Sequence, residues 1–511
     1  MMNRRKFLKT MSAASASMFV PSSLNLTSLY KNANAAVNYA GATITPPAVM
    51  PQIINIFLYG GPSELAGNLT NIIDIENNSQ NSYESAFPGI TTSTTVDPVD
   101  GLITPNGFWR GAGGDVMEFM VNQNYMNVYR TLMKRKDGTR SHRESILMSI
   151  KGSLDIETSA GIGTRMAALL FQNRAAYEGV TQLADDTGVI TSIEDLLLPF
   201  VSFESDTRIY ATDPDFNIPL LMRGTTLDDN FDNPFSRNSN GNATVMDALV
   251  DKVTTAAERA RYSGVIGAFE LREFLENKIG DLQTANNAAL PALSDPADIT
   301  QNGGAAAFDY PNNRFGDTVK AAVTLAIQNP STTFISLGGA LGGWDDHNNG
   351  VDRYPGRMSN VMQTLQAAMW HIKESSGIPI AGGATRGTTD NIIINVFGDF
   401  GRRVNLNNSQ GWDHGNNQNL FSLGGSGVVS AGSPGGAAPR TLGKIVGTTV
   451  RVGPSGTNNQ VTEPAQGSYE FEPMSVASSF YSYLGVQNPE IITADTDRNP
   501  TGDPAIDETA T

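Results

Sequence analysis

Three short apolar runs rich in β-branched residues punctuate the chain: IINIFLY at Ile53–Tyr59, TTFISLG at 332–338 and NIIINVF at 391–397. Runs of this length, bounded by glycine or polar residues, predict buried strands. Between the second and third lies a polar loop and then a helical pattern in which Met358, Val361, Met362, Leu365, Met369 and Ile372 share one face, with His371 off that face. Strand, helix and strand in that order form a βαβ unit, which predicts a mainly parallel sheet covered by helices.

Weaker patterns fill in the remainder. Helices are expected over Asp115–Gln123, over residues 159–175, along an interrupted stretch from Val245 to Leu282, and at Asp317–Pro330, where Asn-Pro stops the pattern. MNVYRTL reads as a strand, TLGKIVGTTVRV as one or two strands, and PMSVASSFYSYLGV as a final helix. Ser141 and Glu144 have the S-x-x-E spacing of a capping box opening a further helix. Residues near 67–114 carry little periodicity and read as a long loop, residues 176–245 mix possible short strands with Asp/Asn-rich loops, and both read as insertions in a domain spanning 52–487; the acidic residues 488–511 read as a disordered tail.

The amino-terminal residues change the picture of where the protein works. NRRKFLK at Asn3–Lys9 has the form of a twin-arginine export motif; a weakly apolar TMSAASASMFV follows, and an A-x-A pattern at Ala33 and Ala35 offers a cleavage point. The expectation is a signal peptide over 1–35, a linker over 36–51, passage through the twin-arginine translocase and a periplasmic or secreted mature protein. Cleavage removes five positive side chains and takes the net charge from −16 to −21, which argues against nucleic acid as a partner. No other segment approaches the ~20 apolar residues of a membrane-spanning helix. With no cysteine, any metal must be held by Asp, Glu, His or neutral oxygens.

Candidate chemistry concentrates where apolar strands give way to polar loops. GDFGRRVNLNNSQGWDHGNN, residues 398–417, follows NIIINVF directly, and strand ends of α/β proteins are where ligands usually bind. Of four histidines, His347 in GGWDDHNN and His414 in GWDHGNN each follow aspartate in a glycine-rich loop, a pairing that suits Zn²⁺, Mn²⁺ or Fe. The bland reading of such pairs is turn capping. Arg402 and Arg403 are either a clamp for phosphate or sulfate or ion-pair partners of Asp399 or Asp413. Ser141, beside His142 in TRSHRES, is either a nucleophile at a helix start or its N-cap. Gly60 and Gly61 in LYGGPSELAGN allow a tight turn off the first strand, with Ser63 and Glu64 facing the same crevice.

FLYGGPS, RSH, SLGGALGGWDDHNN, GDFGRRVNLNNSQGWDHGNN, LFSLGG and SVASSFYSYLGV together resemble the domain of unknown function 1501 family, from about Ile53 to Val486. That family is exported, commonly by the twin-arginine route, and is similar to the alkaline phosphatase and sulfatase superfamily. The resemblance implies a doubly wound α/β fold with helices on both faces of a mainly parallel sheet, and metal ligands on loops beyond the strand ends. It places Asp345, His347, Asp399, Asp413 and His414 in metal-ligand loops, with Ser141, His142 and Arg402 as catalytic candidates. Three departures bear on it: Ala66 stands where an acid is usual, leaving Glu64; Asp399-Phe400-Gly401 replaces Asp-His-Gly; and an aspartate replaces the usual family glutamate.

Two functions follow from these readings. One is a periplasmic hydrolase of phosphate or sulfate esters that uses a divalent metal (Zn, Mn, Fe or Ca) and a small anionic substrate. The other is a degenerate, non-catalytic member that binds or assembles with an envelope protein partner.

Overall fold

The computed structural model describes residues 41–69, 103–177, 180, 198–203, 205–211, 221–224, 279–338, 341–380, 385–433, 438–454, 459–495 and 497–511. The expected signal peptide, most of both insertions and the helical stretch from Val245 up to residue 278 lie outside the described residues.

The apolar runs form the centre of an eight-stranded mixed sheet. Its strands are β1 (Gln52–Leu58), β2 (Met126–Met133), β3 (Phe200–Phe203), β4 (Leu221–Gly224), β5 (Phe334–Gly338), β6 (Ile392–Gly398), β7 (Asn417–Gly424) and β8 (Ile445–Val446), in the spatial order β4-β3-β5-β1-β6-β7-β2-β8. The five strands from β4 to β6 run parallel, β7 runs against β6, and β2 runs against β7. β9 (Thr449–Val452) and β10 (Val461–Pro464) make a separate antiparallel pair.

Alternation along β1 divides the core. Ile54, Ile56 and Leu58 pack with α4 (Arg314–Gln328) and α5 (Gly350–Glu374), and α1 (Gly114–Asn122) joins that side. Ile53 and Phe57 point the other way, toward α2 (His142–Lys151), α3 (Ile162–Gln172) and α6 (Pro473–Tyr483). A strand buried on both faces reads as a continuous apolar run, which is why β1, β5 and β6 are conspicuous in the sequence. Among the described residues no helix is long and apolar enough to cross a membrane.

The structure corrects several expectations. The polar stretch 398–417 gives way at Asn417 to β7, for which no element was expected and which begins with buried Asn417, Gln418 and Asn419. It is a strand because its amides act as backbone partners: Gln418 Nε2 donates to Gly398 O (3.0 Å) and Gly398 N donates to Gln418 Oε1 (2.8 Å), extending the ladder with β6. His371 is buried within α5, 3.2 Å from Tyr310 OH, and desolvation pushes its pKa down to about 3. Ser141 takes the N-cap position of α2 without a side-chain cap bond, and Glu144 accepts from Thr139 Oγ1, so the capping box is not formed.

The acidic carboxyl-terminal residues pack rather than trail in solvent. Glu508 is 2% exposed and accepts from Arg440 Nε (2.8 Å), Tyr483 OH (2.6 Å), Ser430 Oγ (3.1 Å) and Ala431 N (3.1 Å). Lys136 Nζ is held by Asn499 Oδ1 (2.7 Å), Gly502 O (3.1 Å) and Asp503 Oδ1 (2.9 Å), which ties this segment to the loop before α2.

Candidate metal centre

β1, β5, β6 and β2 point the same way, so the segments that follow them leave one edge of the sheet. After β1 the chain turns at Gly60 (φ +110°) and Gly61 (φ +72°), a left-handed conformation that suits glycine. A Cβ on Gly60 would stand 2.6 Å from Asp345 N, and one on Gly61 would stand 2.7 Å from Phe400. The two glycines therefore let the loops after β5 and β6 close directly over the end of β1. Trp412 N bonds Asp346 O (2.8 Å) and Asn349 N bonds Ser409 O (2.8 Å), stitching those two loops together.

This closure gathers His142, Asp345, His347 and His414, whose ligating atoms all lie within 4.8 Å of one another. Asp345 Oδ1 is 3.3 Å from His142 Nε2, 3.1 Å from His347 Nε2 and 3.6 Å from His414 Nε2. His347 Nε2 and His414 Nε2 are 2.8 Å apart.

Every imidazole is held from behind through Nδ1. His142 Nδ1 meets Asp399 Oδ2 at 2.6 Å, His347 Nδ1 meets Asp413 Oδ1 at 3.2 Å, and His414 Nδ1 meets Arg140 O at 2.8 Å. A carbonyl or carboxylate can only accept, so each Nδ1 carries a proton and Nε2 is the nitrogen that each ring turns inward. Three inward-facing Nε2 atoms and a carboxylate oxygen make a cluster of possible donors that a cation would satisfy. His142 Nε2 is buried and, despite its distance to Asp345, has no hydrogen-bond partner. Donor atoms ~2.1 Å from a shared ion stand roughly 3 to 3.4 Å apart, and the four spacings above bracket that range.

The charges around the centre act unequally on its members. The Asp399 hydrogen bond raises the pKa of His142 against the opposing effect of burial. Burial, helped by the Arg402 charge, pushes His414 down to about 4, which keeps it neutral. For Asp345, burial would raise the carboxyl, but the Arg402 hydrogen bond and charge bring it below its ordinary value.

The expected site residues fall into three groups. Asp345, His347 and His414 meet at the centre, and His142, expected beside a nucleophile, joins them as a fourth donor. Asp399 and Asp413, expected as ligands, stand behind His142 and His347. Arg402, expected to contact an anion, is 1% exposed and fully engaged within the protein. Its Nε donates to Gly61 O (2.7 Å), Nη1 to Trp412 O (3.0 Å), and Nη2 to Gly60 O, Trp344 O (3.1 Å) and Asp345 Oδ1 (2.7 Å). Its carboxylate partner is Asp345, whereas Arg403 makes the expected pair with Asp413 at 3.5 Å.

Ser141 is exposed at the start of α2, next to His142. Glu64 is buried, bonded to Thr462 and Asn417, and desolvation raises it to about 8, so it does not replace the acid absent at Ala66. Phe400 lies where an imidazole would complete Asp-His-Gly; its ring centroid is 4.6 Å from that of His142 and 4.5 Å from that of His414, closing one side of the centre. The Arg140 carbonyl was invisible to sequence reasoning, since a backbone acceptor has no residue signature.

Fold and site together define a mixed α/β protein whose strand-end loops form a candidate centre of three histidines and one aspartate. No family model and no curated protein matches the chain. Among solved structures, the alkaline phosphatase from the Antarctic bacterium TAB5 is 10% identical, with 75% of this chain and 92% of that chain covered and a TM-score of 0.24. A likeness of that size has no bearing on the chemistry, which rests on the geometry above.

Proposed function

We propose that the chain is an exported metal-dependent hydrolase of phosphate or sulfate esters, with His142, Asp345, His347 and His414 as the metal ligands. The observation that carries this reading is the common orientation of three imidazoles, each fixed through Nδ1 by an acceptor behind it. Such outer partners set the tautomer and raise ligand basicity at metal sites. A nitrogen-rich set with one carboxylate suits Zn, Mn or Fe better than Ca, which prefers an all-oxygen shell.

When bound, a divalent ion supplies Lewis acidity toward an ester oxygen. The residues of this chain have separate tasks. Asp399 and Asp413 hold His142 and His347 in their ligating tautomers, Arg402 keeps Asp345 ionised, and Phe400 excludes water from one side. Ser141, exposed beside His142, is the nucleophile in this reading. The expected twin-arginine signal supports export, and the sequence resemblance to a family similar to the alkaline phosphatase and sulfatase superfamily supports an ester substrate.

The test is turnover of p-nitrophenyl phosphate and p-nitrophenyl sulfate by metal-replete protein, with Ser141→Ala and His347→Ala alongside. Hydrolysis abolished in His347→Ala supports the reading. Bound metal without turnover of either ester would replace it with the envelope binding or assembly role.

A further inference from the structure

We infer that the centre takes a single ion and that the Arg402 guanidinium is its permanent second positive charge. Arg402 is thus a positioning residue that holds Asp345 and prevents a second metal from sharing it. The inference rests on the metal reading above and adds to it the number of ions and the origin of the remaining charge.

Three observations converge on it. The first is occupancy beside Asp345. Two-metal sites hold their ions about 3.5–4 Å apart, commonly across shared oxygen ligands. Here the oxygen that faces the three histidines, Oδ1, also accepts from Arg402 Nη2 at 2.7 Å, and Arg402 Nη1 lies 3.5 Å from His347 Nε2. A fixed cation already adjoins the donor that a second ion would share.

The second is the lack of spare ligands. Asp399 Oδ1 accepts from Gly60 N (3.1 Å) and Oδ2 faces His142. Asp413 Oδ1 faces His347 and Asn407 Nδ2 (3.2 Å), while its Oδ2 pairs with Arg403 at 3.5 Å. Asp346 is taken by Arg357 and Arg353. Among the described residues, the only group of three or more possible ligands is the one already described.

The third is that the guanidinium cannot leave. Four backbone carbonyls and one carboxylate surround it, and it is 1% exposed. Arginine does not release its proton to relieve repulsion from a neighbouring ion. A unit charge ~5 Å from a divalent ion, at an effective dielectric of about 20, weakens that ion's binding by well over tenfold. The centre therefore holds its metal less tightly than the ligand set alone would, and it keeps a surplus of positive charge that favours an anionic ligand.

The experiment is a Mn²⁺ titration of the full chain, purified without chelator, read by elemental analysis and electron paramagnetic resonance, with Arg402→Lys and Arg402→Gln beside the wild type. The expected result is one magnetically isolated Mn²⁺ per wild-type chain. The Lys variant should bind within about threefold of wild type, and the neutral Gln variant at least about tenfold more tightly than the Lys variant. Two spin-coupled ions in the wild type, or Lys and Gln variants of equal affinity, overturn this inference alone. A wild-type chain that binds no Mn²⁺ and no Zn²⁺ removes the metal reading and this inference with it. Stoichiometry is read on the wild type, so the result does not depend on either variant folding.

Discussion

His347 Nε2 faces His414 Nε2 at 2.8 Å while the outer nitrogen of each ring is bound to an acceptor, Asp413 for one and the Arg140 carbonyl for the other. Two neutral imidazoles so arranged oppose lone pair to lone pair, and only a proton or a metal between them relieves it. Burial pushes His414 down to about 4, so His414 does not itself supply that proton near neutral pH.

That depression gives a pH prediction for the metal-free protein. Unfolded His414 takes up its proton near 6.5 and the folded residue only near 4, so between those values the unfolded state binds more protons. His414 therefore contributes stability that is present above about 6.5 and is lost as pH falls through about 4. Urea unfolding between pH 4 and 7 should show a shallower fall in stability for His414→Asn than for wild type. Parallel curves would contradict the assignment.

Asp399 should matter to metal binding without touching the metal. Asp399→Asn keeps the shape but weakens the acceptor for His142 Nδ1, and loss of such outer partners typically costs about 10–100-fold in metal affinity. A chelator-competition titration reads this directly. Unchanged affinity in a folded variant would show that His142 needs no orienting partner.

How much of this was legible follows from what each residue faces. β1, β5 and β6 were readable because both of their faces are apolar, and α5 because its buried face repeats at helical spacing. β7 was not, because its polar side chains stand in for backbone partners. The two Asp-His loops pointed to the centre, but His142 reaches it only because β2 lies beside β7, a neighbour relation that linear spacing does not encode. Asp399 and Asp345 both follow core strands; only the three-dimensional direction of each carboxylate separates the holder of a ligand from the ligand.

The carboxyl-terminal segment shows the same limit from the stability side. Its acidic composition reads as solvated, yet Glu508 neutralises Arg440, which is itself only 3% exposed. Removing one partner of a buried pair typically costs about 3–5 kcal/mol. Glu508→Ala should lower stability by that order in urea unfolding. A change below about 1 kcal/mol would mean that the tail is an accessory.

Gly60 carries a conformational demand. With φ at +110° and a Cβ position 2.6 Å from Asp345 N, Gly60→Ala should cost more than about 1 kcal/mol and displace the loop that carries Asp345. The expected outcome is a lower urea midpoint together with weaker metal binding. A stable variant with native affinity would contradict the close approach of these loops.

The most direct test of the central claim is elemental analysis of the full chain, purified without chelator or affinity-tag metal, beside His347→Ala and His414→Ala. The account predicts about one equivalent of Zn, Mn or Fe per chain, lost in both variants while their folds persist. Metal-free wild-type protein, unable to take up added Zn²⁺ or Mn²⁺ and no more stable than the variants, would contradict it.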